Sequence, residues 1–225
     1  MTLNFDAETS RLLDNAYQGA DVTRRRRANF DALAPAPGDR ILDIGCGTGL
    51  LTQELARAVG VKGQVTGVDP SADMRKLAIE RCSAFANVNI LEAAANQLAT
   101  DDGSFDKALS VQVFEYLSDI PGALREAHRV LRPGGLLVIG DMHWDSLVWF
   151  SADQPRMADM LAGWDRHLVE RCVPALLPNL LSNAGFCLER IEPVTFCDTT
   201  LKPDGLAIMM LHLMQAFALQ HDLLP

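Results

Sequence analysis

The stretch Ile41-Leu42-Asp43-Ile44-Gly45-Cys46-Gly47-Thr48-Gly49 limits the architecture more than any other feature of the 225 residues. A short apolar strand from Arg40 runs straight into three alternating glycines. Helical spacing follows from Leu50 to Val59, with Leu51, Leu55, Ala58 and Val59 on one side. The same alternation of strand and helix continues downstream. Strands are expected at 64–68, 88–91, 105–110 and 136–140, with helices at 71–84, where Ser71 is the N-cap, and at 121–130. Short, continuously apolar strands separated by helices belong to a sheet covered on both faces, hence a doubly wound α/β domain.

The flanks are of a different kind. Residues 6–34 read as one or two helices, ended by Ala34-Pro35-Ala36-Pro37-Gly38-Asp39. Residues 143–171 carry all three tryptophans, Trp144, Trp149 and Trp164, at helical spacing. They are expected either to glue extra helices to the sheet or to line an aromatic pocket. A helix is expected at 174–184, and late strands at 186–196 and 205–213.

The formal net charge of −9 argues against a nucleic-acid partner, because an acidic surface repels phosphate backbones. One basic run stands out, Arg24-Arg25-Arg26-Arg27, as either the wet face of a helix or an anion-facing patch near a substrate mouth. The five cysteines form no Cys-x-x-Cys pair, so neither a disulfide framework nor a metal site is expected. The N-terminus does not read as a signal peptide. The apolar run at 207–219 is broken by His212 and Gln215 and is too short to span a bilayer. A cytoplasmic protein, monomer or homodimer, is expected.

Glycines after a strand let a ligand lie against bare backbone, with free N–H groups at the helix start. The spacing here, Gly45-x-Gly47-x-Gly49, departs from the G-x-G-x-x-G of dinucleotide sites, and no Gly-Lys-Ser/Thr ending marks a phosphate loop. With Arg129-Val130-Leu131-Arg132-Pro133-Gly134-Gly135 before the fifth strand, the sequence resembles the class I, Rossmann-like S-adenosylmethionine-dependent methyltransferases. It looks nearest the branch of quinone-biosynthesis and small-molecule enzymes.

The resemblance implies a mostly parallel, seven-stranded sheet with N-terminal helices and a helical insertion after strand five. It implies one domain over 1–225: a helical lid at 1–37, a cofactor core at 38–141, a substrate lid or insertion at 142–172, and the rest of the sheet at 173–225. It places S-adenosylmethionine against Asp43, Gly45, Cys46, Gly47 and Gly49, with the ribose on Asp69 and the adenine beside Pro70 and Met74. Asp43 alternatively ties down loop backbone. Ala94 stands where the family often carries an acid for the adenine amine, so that amine falls to a backbone carbonyl, Asn96, Gln97 or water, beside the Ala95 N–H. Val111 and Gln112 are expected near the methyl group, and Tyr17 over the methionine end.

An activated methyl needs alignment and exclusion of water more than a fixed catalytic residue. Glu115, Tyr116 and His143 are the candidates for handling an acceptor's proton, with Asp141 and Asp145 beside them. The acceptor is expected to be a small apolar or aromatic metabolite. The competing possibilities are a non-catalytic S-adenosylmethionine-binding or scaffold protein, and a nicotinamide-dependent oxidoreductase, which the glycine spacing disfavours.

Overall fold

The computed structural model describes residues 7–222. Five strands form one parallel sheet: β1 (Arg40–Ile44), β2 (Gln64–Val68), β3 (Val88–Leu91), β4 (Phe105–Val111) and β5 (Leu131–Gly140), in the order β3-β2-β1-β4-β5. Strand order reverses between β1 and β4, and an open sheet places its ligand crevice outside the carboxyl ends at such a point.

The side-chain period of two sorts β1 onto two faces. Ile41, with Val65 and Leu109, packs under α2 (Ala20–Leu33) and α3 (Leu50–Val59) through Leu33, Leu51, Leu55 and Val59. Leu42 and Ile44, with Val68 and Ala108, pack on the other face against Leu124, Ala127 and Val130 of α5 (Ile120–Val130) and Val173 and Leu177 of α7 (Val173–Asn183). Ser71 caps α4 (Ala72–Cys82) as expected, accepting from the Met74 N–H. The start of α5, just before β5, is held likewise, Asp119 accepting from the Gly122 N–H.

A third apolar cluster covers the carboxyl ends of the strands. It joins Leu13 of α1 (Ala7–Ala16), Val22, Met74, Trp144, Trp164 at the end of α6 (Gln154–Trp164), and Leu206, Met210, Leu213, Met214 and Phe217 of α8 (Leu206–Gln220).

Two expectations are corrected. Among the described residues the sheet has five strands, not seven. Residues 186–198 take no regular structure: Leu188, Ile191 and Val194 fall three apart rather than alternating, all three are exposed, and Pro193 withholds a ladder donor. Residues 205–213, expected as a strand, are the cap and first turns of α8. Leu206, Met210, Leu213, Met214 and Phe217 recur at helical spacing, and a short apolar run does not by itself separate a buried strand from a buried helix. No helix among the described residues is long and apolar enough to cross a membrane.

Candidate functional site

The loop between β1 and α3 is built on three left-handed glycines: Gly45 (φ 72°), Gly47 (φ 53°) and Gly49 (φ 79°). Two of them serve packing. A Cβ on Gly45 would stand 2.3 Å from Val113 Cγ2, and one on Gly49 2.9 Å from the Ala78 Cα. Gly47 is different: a Cβ there would meet nothing within 4 Å, so its face is open. The Gly45 and Cys46 N–H groups both donate to the Val68 carbonyl, at 2.8 and 3.0 Å, locking the loop to the end of β2.

Asp69, just after β2, joins two turns. Its Oδ2 accepts from the Gly47 N–H at 3.0 Å and its Oδ1 from the Ser71 N–H at 2.9 Å. Burial pushes its carboxyl up despite these bonds. Each carboxylate oxygen has a second lone pair for a further donor. Asp43 is committed elsewhere. It is buried, accepts from the Thr52 hydroxyl at 2.6 Å, and is pushed up to about 6, by burial first and by the Asp69 charge second. Its observed partner is thus α3, through Thr52. Cys46 is buried against Gly67, and Met74 lies in the third apolar cluster.

Beside Asp69 opens a cleft of about 460 Å³, lined by Pro70, Glu92, Ala93, Ala94, Gln97, Leu98 and Ala99. Ala94 is exposed on it, and its carbonyl is occupied by the Gln97 N–H at 3.0 Å. Ala95 and Leu98 turn into the core. Glu92 is a carboxylate on this cleft that sequence reasoning missed, and it is ion-paired to Arg75.

A second, tighter cavity of about 40 Å³ lies under the third cluster. Its apolar wall is Leu13, Met142, Trp144, Trp164, Leu206, Met209, Met210 and Leu213; its polar wall is Tyr17, Arg25, Gln112, Glu115 and Tyr116. These polar groups form a string. The Arg25 guanidinium donates through Nη1 to Gln112 Oε1. Gln112 Nε2 donates to Glu115 Oε2 at 3.1 Å, and Trp144 Nε1 donates to the same oxygen at 2.7 Å. The backbone of Gln112 is left-handed, φ 57°, and its N–H bonds the Gly140 carbonyl at 2.8 Å. That strained position at the β4 terminus aims the amide across the cavity.

Glu115 is buried, and burial holds its carboxyl above the usual range. Asp141, whose Oδ1 accepts from the Glu115 N–H at 3.4 Å, is pushed up to about 8, by burial first and then by the Glu115 charge. Burial drives the Tyr17 phenol up to about 12 and the Tyr116 phenol well above its ordinary value, so both stay protonated.

The structure therefore brings Tyr17, Gln112, Glu115 and Tyr116 into one pocket and Pro70 and Ala94 into another. Val111 instead packs on the α2–α3 side of the sheet. His143 is not brought in: it is exposed and lines neither cavity. Its neighbour Asp145 pairs with Arg171 outside the pocket. The buried histidine of this region is His167, unremarked in the sequence. Its ring lies among Trp144, Trp164, Tyr116 and Phe217, and burial lowers it to about 4, so it is neutral at pH 7.

The arginine run splits four ways. Arg27 pairs with Asp31 in solvent, Arg26 with Glu54, and Arg24 reaches the Thr195 carbonyl at 2.6 Å over the Phe196 ring. Of the four, Arg25 is the one that lines the cavity. Val22, Arg25, Asn29 and Leu33 are spaced three, four and four apart, one stripe of α2. That stripe was the signal available for Arg25.

Residues 42–139 match the family model described as a methyltransferase domain. The chain is 36% identical over 171 residues to an uncharacterized 37.1 kDa protein in transposon TN4556 of Streptomyces fradiae, covering 74% of this chain and 48% of that one. It is 41% identical over 110 residues to a 2-phytyl-1,4-naphtoquinone methyltransferase of a Nostoc species, 48% of either chain. It thus spans about half the length of these curated relatives. Among solved structures it is similar to a SAM dependent methyltransferase from Aquifex aeolicus, with a TM-score of 0.62 and 23% identity over 83% of this chain and 92% of that one.

Proposed function

We propose that the chain is a class I S-adenosylmethionine-dependent methyltransferase, as its match to the methyltransferase domain supports, and that it transfers the methyl group of this cofactor to a small apolar or aromatic acceptor held under the Trp144–Trp164 roof. The observation that carries this is the open face of Gly47 beside Asp69, with an apolar-floored cleft on one side and a closed aromatic pocket on the other.

The residues fit the cofactor. Gly47 leaves backbone bare where any side chain would intrude. Asp69 has the free lone pairs that a ribose diol requires, and its two loop bonds fix its direction. Pro70 and Ala94 offer flat apolar surface for a purine, with the Gln97 side chain free to meet its edge. Tyr17 and Gln112 stand between this half and the acceptor pocket. S-adenosylmethionine supplies, when bound, a methyl group already activated by its sulfonium.

The chain's own residues do the rest. The apolar roof excludes water, and the aromatic walls orient a ring. Glu115, raised by burial and held by Trp144 and Gln112, takes the proton of an acceptor that carries one. Tyr116, kept protonated by burial, hydrogen-bonds Glu115 and helps to fix its direction. His143, exposed, is given no role. The quinone substrate in a relative's name supports a ring-shaped, apolar acceptor. A pocket of about 40 Å³ holds little more than one water, so α8 and the α1–α2 turn move aside when an acceptor enters.

The test is calorimetry with S-adenosylhomocysteine and, separately, with NAD. One equivalent of S-adenosylhomocysteine bound and no NAD is the expected result. No heat with S-adenosylhomocysteine, or displacement of it by NAD, overturns the assignment.

A further inference from the structure

Arg25 is a cation enclosed in the polar wall of the pocket without a directly paired anion. Its Nη1 donates to the neutral Gln112 amide. Its Nε is buried with no hydrogen-bond partner. No protein atom among the described residues accepts from Nη2, and no carboxylate of those residues lies within ion-pair distance of the guanidinium. Its nearest acids, Glu115 and Asp141, make no ion pair with it, and Glu115 is reached only through Gln112. Burial of a charge is costly unless it is paired and hydrogen-bonded. The vacant Nε–Nη2 edge is the side of a guanidinium that accepts a carboxylate in a two-point fork.

We propose that Arg25 selects an acceptor bearing a carboxylate, clamped on the Nε–Nη2 edge while its apolar body lies between Trp144, Trp164 and Met210. This rests on the methyltransferase assignment above and narrows its substrate to a small apolar carboxylic acid. The other carboxylate within reach of such a site is that of the cofactor's methionine. The lining favours the acceptor: the cavity that Arg25 faces is walled by α1, α8 and the tryptophans, and includes neither Asp69 nor any residue of the Gly45–Gly49 loop.

The net charge of −9 sharpens the test, since the protein as a whole repels anions and any preference for one is local. Calorimetry compares 2-naphthoate with its neutral isostere 2-naphthamide, on wild type and on Arg25→Met, alongside S-adenosylhomocysteine. The expected results are a preference of at least tenfold for the acid in wild type and a preference within threefold in Arg25→Met. Naphthamide and S-adenosylhomocysteine should bind the variant within threefold of wild type. Arg25→Lys, which keeps the charge without the fork, should retain only part of the preference. Three results overturn the proposal: no preference in wild type, whatever the variants do; a preference that survives in Arg25→Met; or a tenfold loss of S-adenosylhomocysteine affinity in Arg25→Met, which assigns the guanidinium to the cofactor. Failure of wild type to bind S-adenosylhomocysteine at all is a separate result and sinks the underlying assignment instead.

Discussion

Replacing Asp69 by asparagine separates its two duties. The carboxylate accepts from Gly47 at 3.0 Å through one oxygen and from Ser71 at 2.9 Å through the other. Asparagine keeps one acceptor oxygen and points an NH₂ at the second N–H. The variant therefore loses one loop bond and one of the two bonds proposed to the ribose, and the surviving pair fall from charge-assisted to neutral strength. Hydrogen bonds to charged groups contribute about 1.5–3 kcal/mol and neutral ones about 1 kcal/mol. The binding loss is then about 2–4 kcal/mol, roughly 30- to 700-fold in the dissociation constant of S-adenosylhomocysteine. Folding loses about 1–3 kcal/mol for the stranded N–H, offset in part by removal of the burial strain that holds the carboxyl up. Calorimetry gives the first number and urea unfolding of the free protein the second. Asp69→Asn that is folded and binds S-adenosylhomocysteine within threefold of wild type would refute the ribose role.

Two further substitutions probe the same region. Gly47→Ala should keep the fold, paying roughly 1–2 kcal/mol for a left-handed alanine, yet weaken S-adenosylhomocysteine at least tenfold, because its methyl enters the open face of the loop. Gly45→Ala, with Val113 Cγ2 at 2.3 Å from the new methyl, should instead lose about 2–5 kcal/mol of stability; equal behaviour of the two variants in urea melts and calorimetry would contradict this division. Asp141, held near 8 in the folded state, keeps its proton at pH values where the unfolded chain has released it, so it lowers stability progressively as pH rises from about 4 to 8. Asp141→Asn, which retains an acceptor for the Glu115 N–H, should therefore gain on wild type with rising pH across that window, and a difference in urea midpoint that does not change between pH 5 and 8 would count against it.

The loop and turn proposed to hold the cofactor are legible in the sequence because their information is local. Gly45, Gly47 and Gly49 follow one strand, Asp69 ends the next, and each position depends on backbone angles that few residues adopt. The central strands were legible for the same reason, since parallel strands buried on both faces are continuous apolar runs. The acceptor half draws on residues from Leu13 to Leu213, brought together only by folding. Its roof was misread because Leu206–Leu213 is apolar without strong periodicity. His143 looked suitable by type and position, but a strand end does not determine whether a side chain turns inward, and here it faces solvent.

Arg25 shows where the two kinds of information meet. Four consecutive arginines look like a solvated face, because charge alone gives them all the same environment. Helical geometry does not. Successive residues are turned by about 100°, so a run of four spans most of a full turn and at least one must face the sheet. On α2 that one shares a stripe with Val22, Asn29 and Leu33, and the Asn29 amide donates to its carbonyl at 2.9 Å while filling the space left by Gly140. A leucine or methionine at this position would suit the apolar side of the pocket better than an arginine whose outer edge has no partner. The guanidinium is thus a cost to the free protein, and a group retained at such a cost in the acceptor pocket is most simply accounted for by the anion it binds there.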